Sequence, residues 1–128
     1  MDETDFRIIS ILKKDSRKSF VDIAMAAGVT EGTVRNRVKK LCREGVIKSF
    51  TIDYRAPVEG LVIAKTLKNN KEIISKLREF SDNIFEISGE YDIALILEAH
   101  SIKELNRKVD AVRALRSVLS TNTAIKLN

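Results

Sequence analysis

The segment Gly28–Thr30 separates two stretches of chain that both have helical periodicity. Before it, apolar residues recur from Phe20 onward on one face of a helix, and after it Val34 begins a second apolar stripe with the same spacing. Gly28 suits the left-handed backbone of a helix C-cap, and Thr30 is a favoured N-cap. Two short helices joined by such a turn are typical of a helix-turn-helix.

The flanking segments agree with this interpretation. Residues 3–14 have a broad apolar face that predicts a preceding helix, and Ser19 is placed to cap the second helix. Residues 46–52 are predicted to form a strand after the third helix. We therefore predict a winged-helix-like helix-turn-helix domain over residues 1–50.

Basic residues are concentrated in the third predicted helix. The chain has a net charge of +5, and six basic residues lie between Thr33 and Lys48 against one acid, Glu44. A run of charges alone is often a solvated helix face, but basic clustering on one element is also the electrostatic footprint of nucleic-acid binding. On a helical wheel, the polar residues gather opposite the apolar stripe. We therefore treat this face as a candidate DNA-reading surface.

The order of residues on this face predicts how it would contact DNA. A helix in the major groove needs donors and acceptors for base edges near its N-terminus and cations for phosphates farther along. The predicted base-contacting residues are Thr33, Arg35, Asn36, Glu31 and Arg37. The predicted phosphate-contacting residues are Ser19, Thr30, Lys39 and Lys40.

Beyond residue 60 the chain alternates between strand and helix periodicity. Residues 51–60, with the only proline, predict a linker. Ser101 and Glu104 have capping-box spacing at the start of a helix. Strands are predicted over 61–67, 84–88, 93–99 and 118–127, and helices over 71–80 and 102–115. This βαββαβ order is ferredoxin-like, so the predicted fold class is α+β, with the second domain over residues 61–128.

Composition disfavours several other kinds of site. The chain has one cysteine, Cys42, and one histidine, His100, so neither a disulfide within the chain nor a zinc or iron site is expected, and we predict no cofactor. Cys42 falls on the apolar side of its helix, which predicts a small buried residue. The longest apolar runs, such as Ile93–Leu97, are far shorter than the roughly 20 residues of a membrane-spanning helix, and no signal peptide is recognisable. A cytoplasmic protein that does not enter membranes is expected.

Almost the whole chain resembles the Lrp/AsnC (feast/famine) family of prokaryotic transcription regulators. The similarity is carried by residues 2–12, 23–30, 33–41, 44–48, 89–92 and 121–123. It implies a homodimer formed mainly through the ferredoxin-like domains, possible octamers of these dimers, binding to pseudo-palindromic double-stranded DNA, and amino-acid effectors held between dimers. By position, the residues that would line the effector pocket are Gly89, Tyr91, Asp92, Thr121 and Thr123.

Alternatives remain open at this point. The segment Gly89–Asp92 has the composition of a simple hairpin turn, with or without a ligand role. An architectural DNA-binding protein without an effector would share the same basic helix. An enzyme is a third class, because ferredoxin-like domains host many activities, but His100 has no recognisable base or nucleophile partner.

Overall fold

The helices of the first fifty residues begin at polar capping residues. In the computed structural model, which describes residues 1–67 and 70–127, Asp2, Ser19 and Thr30 each accept a hydrogen bond at the side chain from a backbone N–H in the first helical turn. Gly28 ends the second helix with a φ of 70°, in the left-handed region. The helices are α1 (Glu3–Lys14), α2 (Phe20–Ala27) and α3 (Glu31–Arg43). The predicted helix-turn-helix is confirmed.

One apolar core joins these helices and fixes the orientation of α3. Its buried members are Ile8, Leu12, Ile23, Ala24, Val34 and Val38. Burying each of the larger side chains contributes roughly 1.5–3 kcal/mol, so the apolar stripe of α3 must face inward. The opposite face of α3 is therefore turned toward solvent.

Two local predictions in this part of the chain are wrong. Residues 46–57 contain no strand, because the backbone of a strand needs a hydrogen-bonding neighbour and this helical unit offers none. Ile47 nevertheless packs against the core and fixes the exit of the chain from α3. Cys42 is exposed, because it lies at the margin of the apolar stripe, whereas its neighbour Leu41 is buried.

The second half of the chain forms an antiparallel sheet with two helices in the βαββαβ order. The elements are β1 (Val58–Thr66), α4 (Asn70–Leu77), β2 (Asn83–Glu86), β3 (Ile93–Ala99), α5 (Ile102–Arg113) and β4 (Val118–Ile125). The strand order is β2-β3-β1-β4, with β1 paired to both β3 and β4. This is the predicted ferredoxin-like arrangement, so the α+β fold class is confirmed.

The chain divides into two compact units, Met1–Tyr54 and Arg55–Asn128. β1 begins at Val58, inside the segment that the sequence assigned to the linker. Lys68, Asn69 and Asn128, which belong to the predicted second domain, lie outside the described residues.

Both helices of the second unit cover the same face of its sheet. Alternate residues of the central strands, such as Val62, Leu95 and Leu97, are fully buried there, beneath Leu77 and Leu105. Since successive side chains of a strand point to opposite faces, the residues between them lie on the face that these helices leave open.

The start of α5 departs slightly from the predicted capping box. The Ser101 hydroxyl accepts from the Glu104 N–H at 3.1 Å, as predicted. The Glu104 carboxylate, however, accepts from the N–H of His100 at 2.7 Å, one residue before the cap. This hydrogen bond is the main reason that the pKa of Glu104 is lowered.

Candidate nucleic-acid interface

One side of α3 is polar, basic and exposed. Val34, Val38 and Leu41 are buried against the other helices. The residues on the opposite side, which we call the α3 outer face, are Arg35, Asn36, Lys39, Lys40 and Arg43, and all are exposed. The helix therefore presents one amide and four cationic side chains to solvent over about three turns.

The first turn of α3 is ordered by its own side chains. The Thr30 hydroxyl oxygen accepts from the Thr33 N–H at 3.2 Å, and the two threonine hydroxyls lie 2.9 Å apart. Glu31 and Arg35 form an ion pair one turn apart, with both side chains 46% exposed. Because an exposed pair of this kind contributes at most about 1 kcal/mol, Arg35 can leave Glu31 for a stronger partner at low cost.

Ser19 lies at the N-terminus of α2. It is exposed, and its hydroxyl oxygen accepts from the Asp22 N–H at 3.1 Å. The hydroxyl proton remains available to donate, and the helix N-terminus favours an anion. Ser19 is thus chemically suited to a phosphate, as is Thr30 at the start of α3.

Arg37 does not lie with the other predicted base-contacting residues. Its Nη1 donates to Asp2 Oδ2 at 2.6 Å and to Asp5 Oδ1 at 3.2 Å, at the start of α1. The hydrogen bond from Arg37 is the main reason that the pKa of Asp2 is lowered to about 2, and the hydrogen bond to Asp2 raises the pKa of Arg37. Sequence reasoning missed this pairing because Asp2 and Asp5 lie 35 and 32 residues before Arg37. A base contact by Arg37 stays a prediction, which this pairing does not favour.

Of the predicted effector residues, Asp92 and Thr121 lie toward the C-terminal end of β1, whereas Thr123 lies opposite its middle. The Asp92 N–H donates to the Ala64 carbonyl at 2.9 Å, and Asp92 Oδ2 accepts from the Thr66 N–H at 2.8 Å. Thr121 pairs with Ala64 from the other side of β1, and Thr123 pairs with Val62. The turn before β3 and the start of β4 therefore flank β1, roughly 10 Å apart across two strand spacings.

The predicted effector residues differ in burial and in whether their side chains make hydrogen bonds within the fold. The Asp92 carboxylate links the turn Gly89–Asp92 to the end of β1, so this segment has a structural role as a turn. Gly89 is exposed with a φ of 115°, a conformation that favours glycine, and Tyr91 is half-buried. Thr121 Oγ1 accepts from Arg113 Nε at 3.1 Å. Thr123 Oγ1 is buried and has no hydrogen-bond partner among the described residues.

The uncovered face of the sheet is apolar at its centre. Leu61 and Ile63 of β1 lie opposite Ile96 and Ala94 of β3, and Phe85 of β2 lies opposite Ala94 on the same side. Leu61 is 44% exposed and Phe85 is 52% exposed. Sequence periodicity alone did not single out this surface, because the central strands are apolar on both faces.

Residues 1–67 and 70–127 contain no group of three or more His, Cys, Asp or Glu side chains placed to hold a metal ion. No helix in that part of the chain is long and apolar enough to cross a membrane.

Similarity to known proteins agrees with this geometry. A family model described as a winged helix-turn-helix DNA-binding domain matches residues 1–48. The HTH-type transcriptional regulator LysM of Sulfurisphaera tokodaii is 36% identical over 133 residues, which cover 99% of this chain and 95% of that protein. The relative is a regulator rather than an enzyme.

Two solved structures share the complete fold. LrpC of Bacillus subtilis superimposes with a TM-score of 0.77 at 23% identity, covering 100% of this chain and 95% of that one. A transcriptional regulator of Neisseria meningitidis, solved in complex with L-Met, gives a TM-score of 0.79 at 16% identity, covering 100% and 90%. These structural matches agree with the full-length similarity to an HTH-type regulator. The chain belongs to the Lrp/AsnC family of DNA-binding transcription regulators.

Proposed function

We propose that this regulator binds double-stranded DNA in a sequence-specific way by laying α3 in the major groove. The observation that carries the proposal is the arrangement of the α3 outer face, where hydrogen-bonding side chains precede cations along one exposed side of a helix. Its partner is DNA, so we place its action in the cytoplasm.

The proposed base contacts come from the N-terminal half of α3. An asparagine amide matches adenine and an arginine fork matches guanine in the major groove, which assigns these bases to Asn36 and Arg35. Thr33 and Glu31 lie in the first turn and complete the set. Each good contact of this kind discriminates against a wrong base by roughly 1–3 kcal/mol.

The proposed phosphate contacts surround that set. Lys39 and Lys40 are exposed on the second half of α3, and each would release counterions from a phosphate. Ser19 and Thr30 cap helix N-termini, where phosphate oxygens are favoured. These contacts fix the orientation of the helix on DNA and carry no base information themselves.

Replacing Asn36 with alanine tests the assignment of base contacts. We expect binding to the preferred duplex to weaken about tenfold for each copy of α3 bound, because each copy loses one bidentate contact, while binding to random DNA changes less than about twofold. Fluorescence anisotropy at fixed salt measures both affinities. Equal losses on the two DNAs, or no loss on either, would remove Asn36 from the base-contacting set.

We also infer that the protein is a homodimer whose two copies meet through the uncovered sheet face. The face is apolar at its centre, as an interface core usually is, and a two-fold axis makes a single such surface self-complementary. A dimer also presents two copies of α3 to DNA, which suits a pseudo-palindromic site. Octamers built from these dimers remain a prediction from family resemblance.

An amino-acid effector is the remaining part of the proposal. The Neisseria meningitidis structure contains L-Met. In the present chain Thr123, two residues along β4 from Thr121, has a buried hydroxyl with no hydrogen-bond partner among the described residues. A buried hydroxyl without a partner is costly, so a bound polar ligand would stabilise it. Such a ligand alters DNA binding only if it favours one assembly or conformation over another.

The variant Thr123→Val tests the effector site without changing side-chain shape. Since the unpaired hydroxyl is removed, we expect the unliganded variant to be at least as stable as the wild type in thermal unfolding. We expect the rise in Tm that an amino acid produces in the wild type to be lost. If none of the twenty amino acids raises the wild-type Tm or changes its assembly size, the effector proposal fails and an architectural DNA-binding role is favoured.

A further inference from the structure

A polar cluster in the first unit links the DNA-reading helix to the beginning of the chain. It consists of Asp2, Asp5 and Arg37, and we call it the Arg37 clamp. From its geometry we propose that Arg37 is a positioning residue, which holds α3 at a fixed rotation against α1 so that the α3 outer face meets DNA correctly. The inference rests on the proposed role of that face.

The hydrogen bonds of the clamp account for every carboxylate oxygen in it. Asp2 Oδ1 accepts from the Asp5 N–H at 3.0 Å, and Asp5 Oδ2 accepts from the Asp2 N–H at 3.1 Å, which is a reciprocal capping box. The two remaining oxygens, Asp2 Oδ2 and Asp5 Oδ1, both accept from Arg37 Nη1. Backbone N–H groups at the start of α1 therefore satisfy two of the four carboxylate oxygens, and Arg37 satisfies the other two.

The burial of Asp5 makes its pairing with Arg37 necessary. Asp5 is only 7% exposed, and a carboxylate at such a position requires a charged or hydrogen-bonding partner. Arg37 supplies one from α3, with its side chain 34% exposed. Because its pKa is held near 2, Asp2 stays charged across the neutral pH range, so the clamp is permanent rather than a pH switch.

The Arg37 clamp fixes the rotation of α3 about its axis, which apolar packing alone does not fix. The other contacts between α1 and α3 are made by core side chains such as Ile8 and Val34, and apolar burial is not directional. Charge-assisted hydrogen bonds are directional. A rotation of α3 by about 20° would move side-chain tips, about 5–6 Å from the axis, by about 2 Å, enough to break a base contact.

The variant Asp2→Asn separates positioning from direct DNA contact, because the two roles predict changes of opposite sign. Asparagine is as good an N-cap as aspartate, so α1 keeps its start while the clamp loses a charge. If Arg37 contacted DNA itself, removing a competing acid would free the arginine and tighten binding. If Arg37 positions α3, the same change weakens binding.

The experiment measures the affinity of the wild type, Asp2→Asn and Arg37→Lys for the preferred duplex and for random DNA, at one salt concentration and well below each Tm. Lysine keeps the charge, but its compact ammonium lies on a flexible stem and lacks the planar guanidinium whose Nη1 donates to both carboxylates. We expect both variants to bind the preferred duplex about three- to tenfold more weakly and random DNA within about twofold of the wild type. Unchanged or tighter binding of the preferred duplex by Asp2→Asn would overturn the proposal.

Two further variants complete the design. Glu3→Gln removes an exposed acid from the same turn of α1, where it pairs only with Arg7 at 2.9 Å, and we expect no weakening. Asn36→Ala is measured in parallel. If Asn36→Ala binds normally, the reading role of α3 fails, whereas if it binds weakly and Asp2→Asn does not, only the positioning role of Arg37 fails.

Discussion

Replacing Lys39 and Lys40 together with alanine is expected to weaken binding to any DNA duplex about 10- to 100-fold for each copy of the chain bound, at about 0.1 M salt. Both side chains are exposed on the α3 outer face, beyond the residues proposed to contact bases. Each phosphate contact releases roughly one counterion, so losing two per chain should reduce the slope of log affinity against log salt by about two for each copy bound, or about four for a dimer. The ratio of specific to random binding should change little. A salt titration of both affinities measures all three quantities.

The chain offers a matched control for this pair. Lys13 and Lys14 are also adjacent, exposed lysines in the last turn of a helix of the same unit. Replacing them removes the same net charge from α1 instead of α3. We expect at most a small, uniform loss. If the two double variants lose affinity and salt dependence equally, then total charge rather than the α3 outer face governs binding.

Leu61→Asp is expected to convert the proposed homodimer to a monomer. Leu61 lies on the uncovered sheet face opposite Ile96 and is 44% exposed within one chain, so the substitution leaves the core beneath the helices intact. In a dimer the same position would be buried against the partner copy, where an unpaired carboxylate costs several kcal/mol. Sedimentation should show the mass of one chain, and affinity for a two-half-site duplex should fall at least tenfold as the half-sites become independent.

Ile102→Asp is the control for that substitution. Ile102 is 47% exposed, in the same unit, but it begins α5 rather than lying on the sheet face. We expect this variant to keep the wild-type mass. A Leu61→Asp protein that remains dimeric and folded would place the dimer interface elsewhere.

Local signals in the sequence predicted the helix-turn-helix well. Thr30 and Gly28 act through contacts with their immediate neighbours, so their capping roles can be derived without knowing the tertiary structure. The periodicity of Val34, Val38 and Leu41 likewise fixes which side of α3 is buried.

Other features depend on partners that are distant in sequence. The role of Arg37 depends on Asp5 and Asp2, which lie 32 and 35 residues earlier. The sequence of α3 itself contains no indication of these partners. The predicted strand over residues 46–52 failed for a related reason, since a strand exists only with a neighbour to pair with. Cys42 is exposed although a helical wheel places it on the apolar side of α3. A wheel gives the direction of a side chain, but it does not show where the core ends.

The central claim is that the α3 outer face reads bases, and selection of bound duplexes from a random pool tests it most directly. We expect the wild type to enrich two dyad-related half-sites whose centres lie about 10 base pairs, one helical turn, or a multiple of it apart. Arg35→Ala should select the same arrangement but lose its preference for guanine at one position of each half-site. Enrichment of identical sequences by both proteins, with the same preference at every position, would contradict the claim.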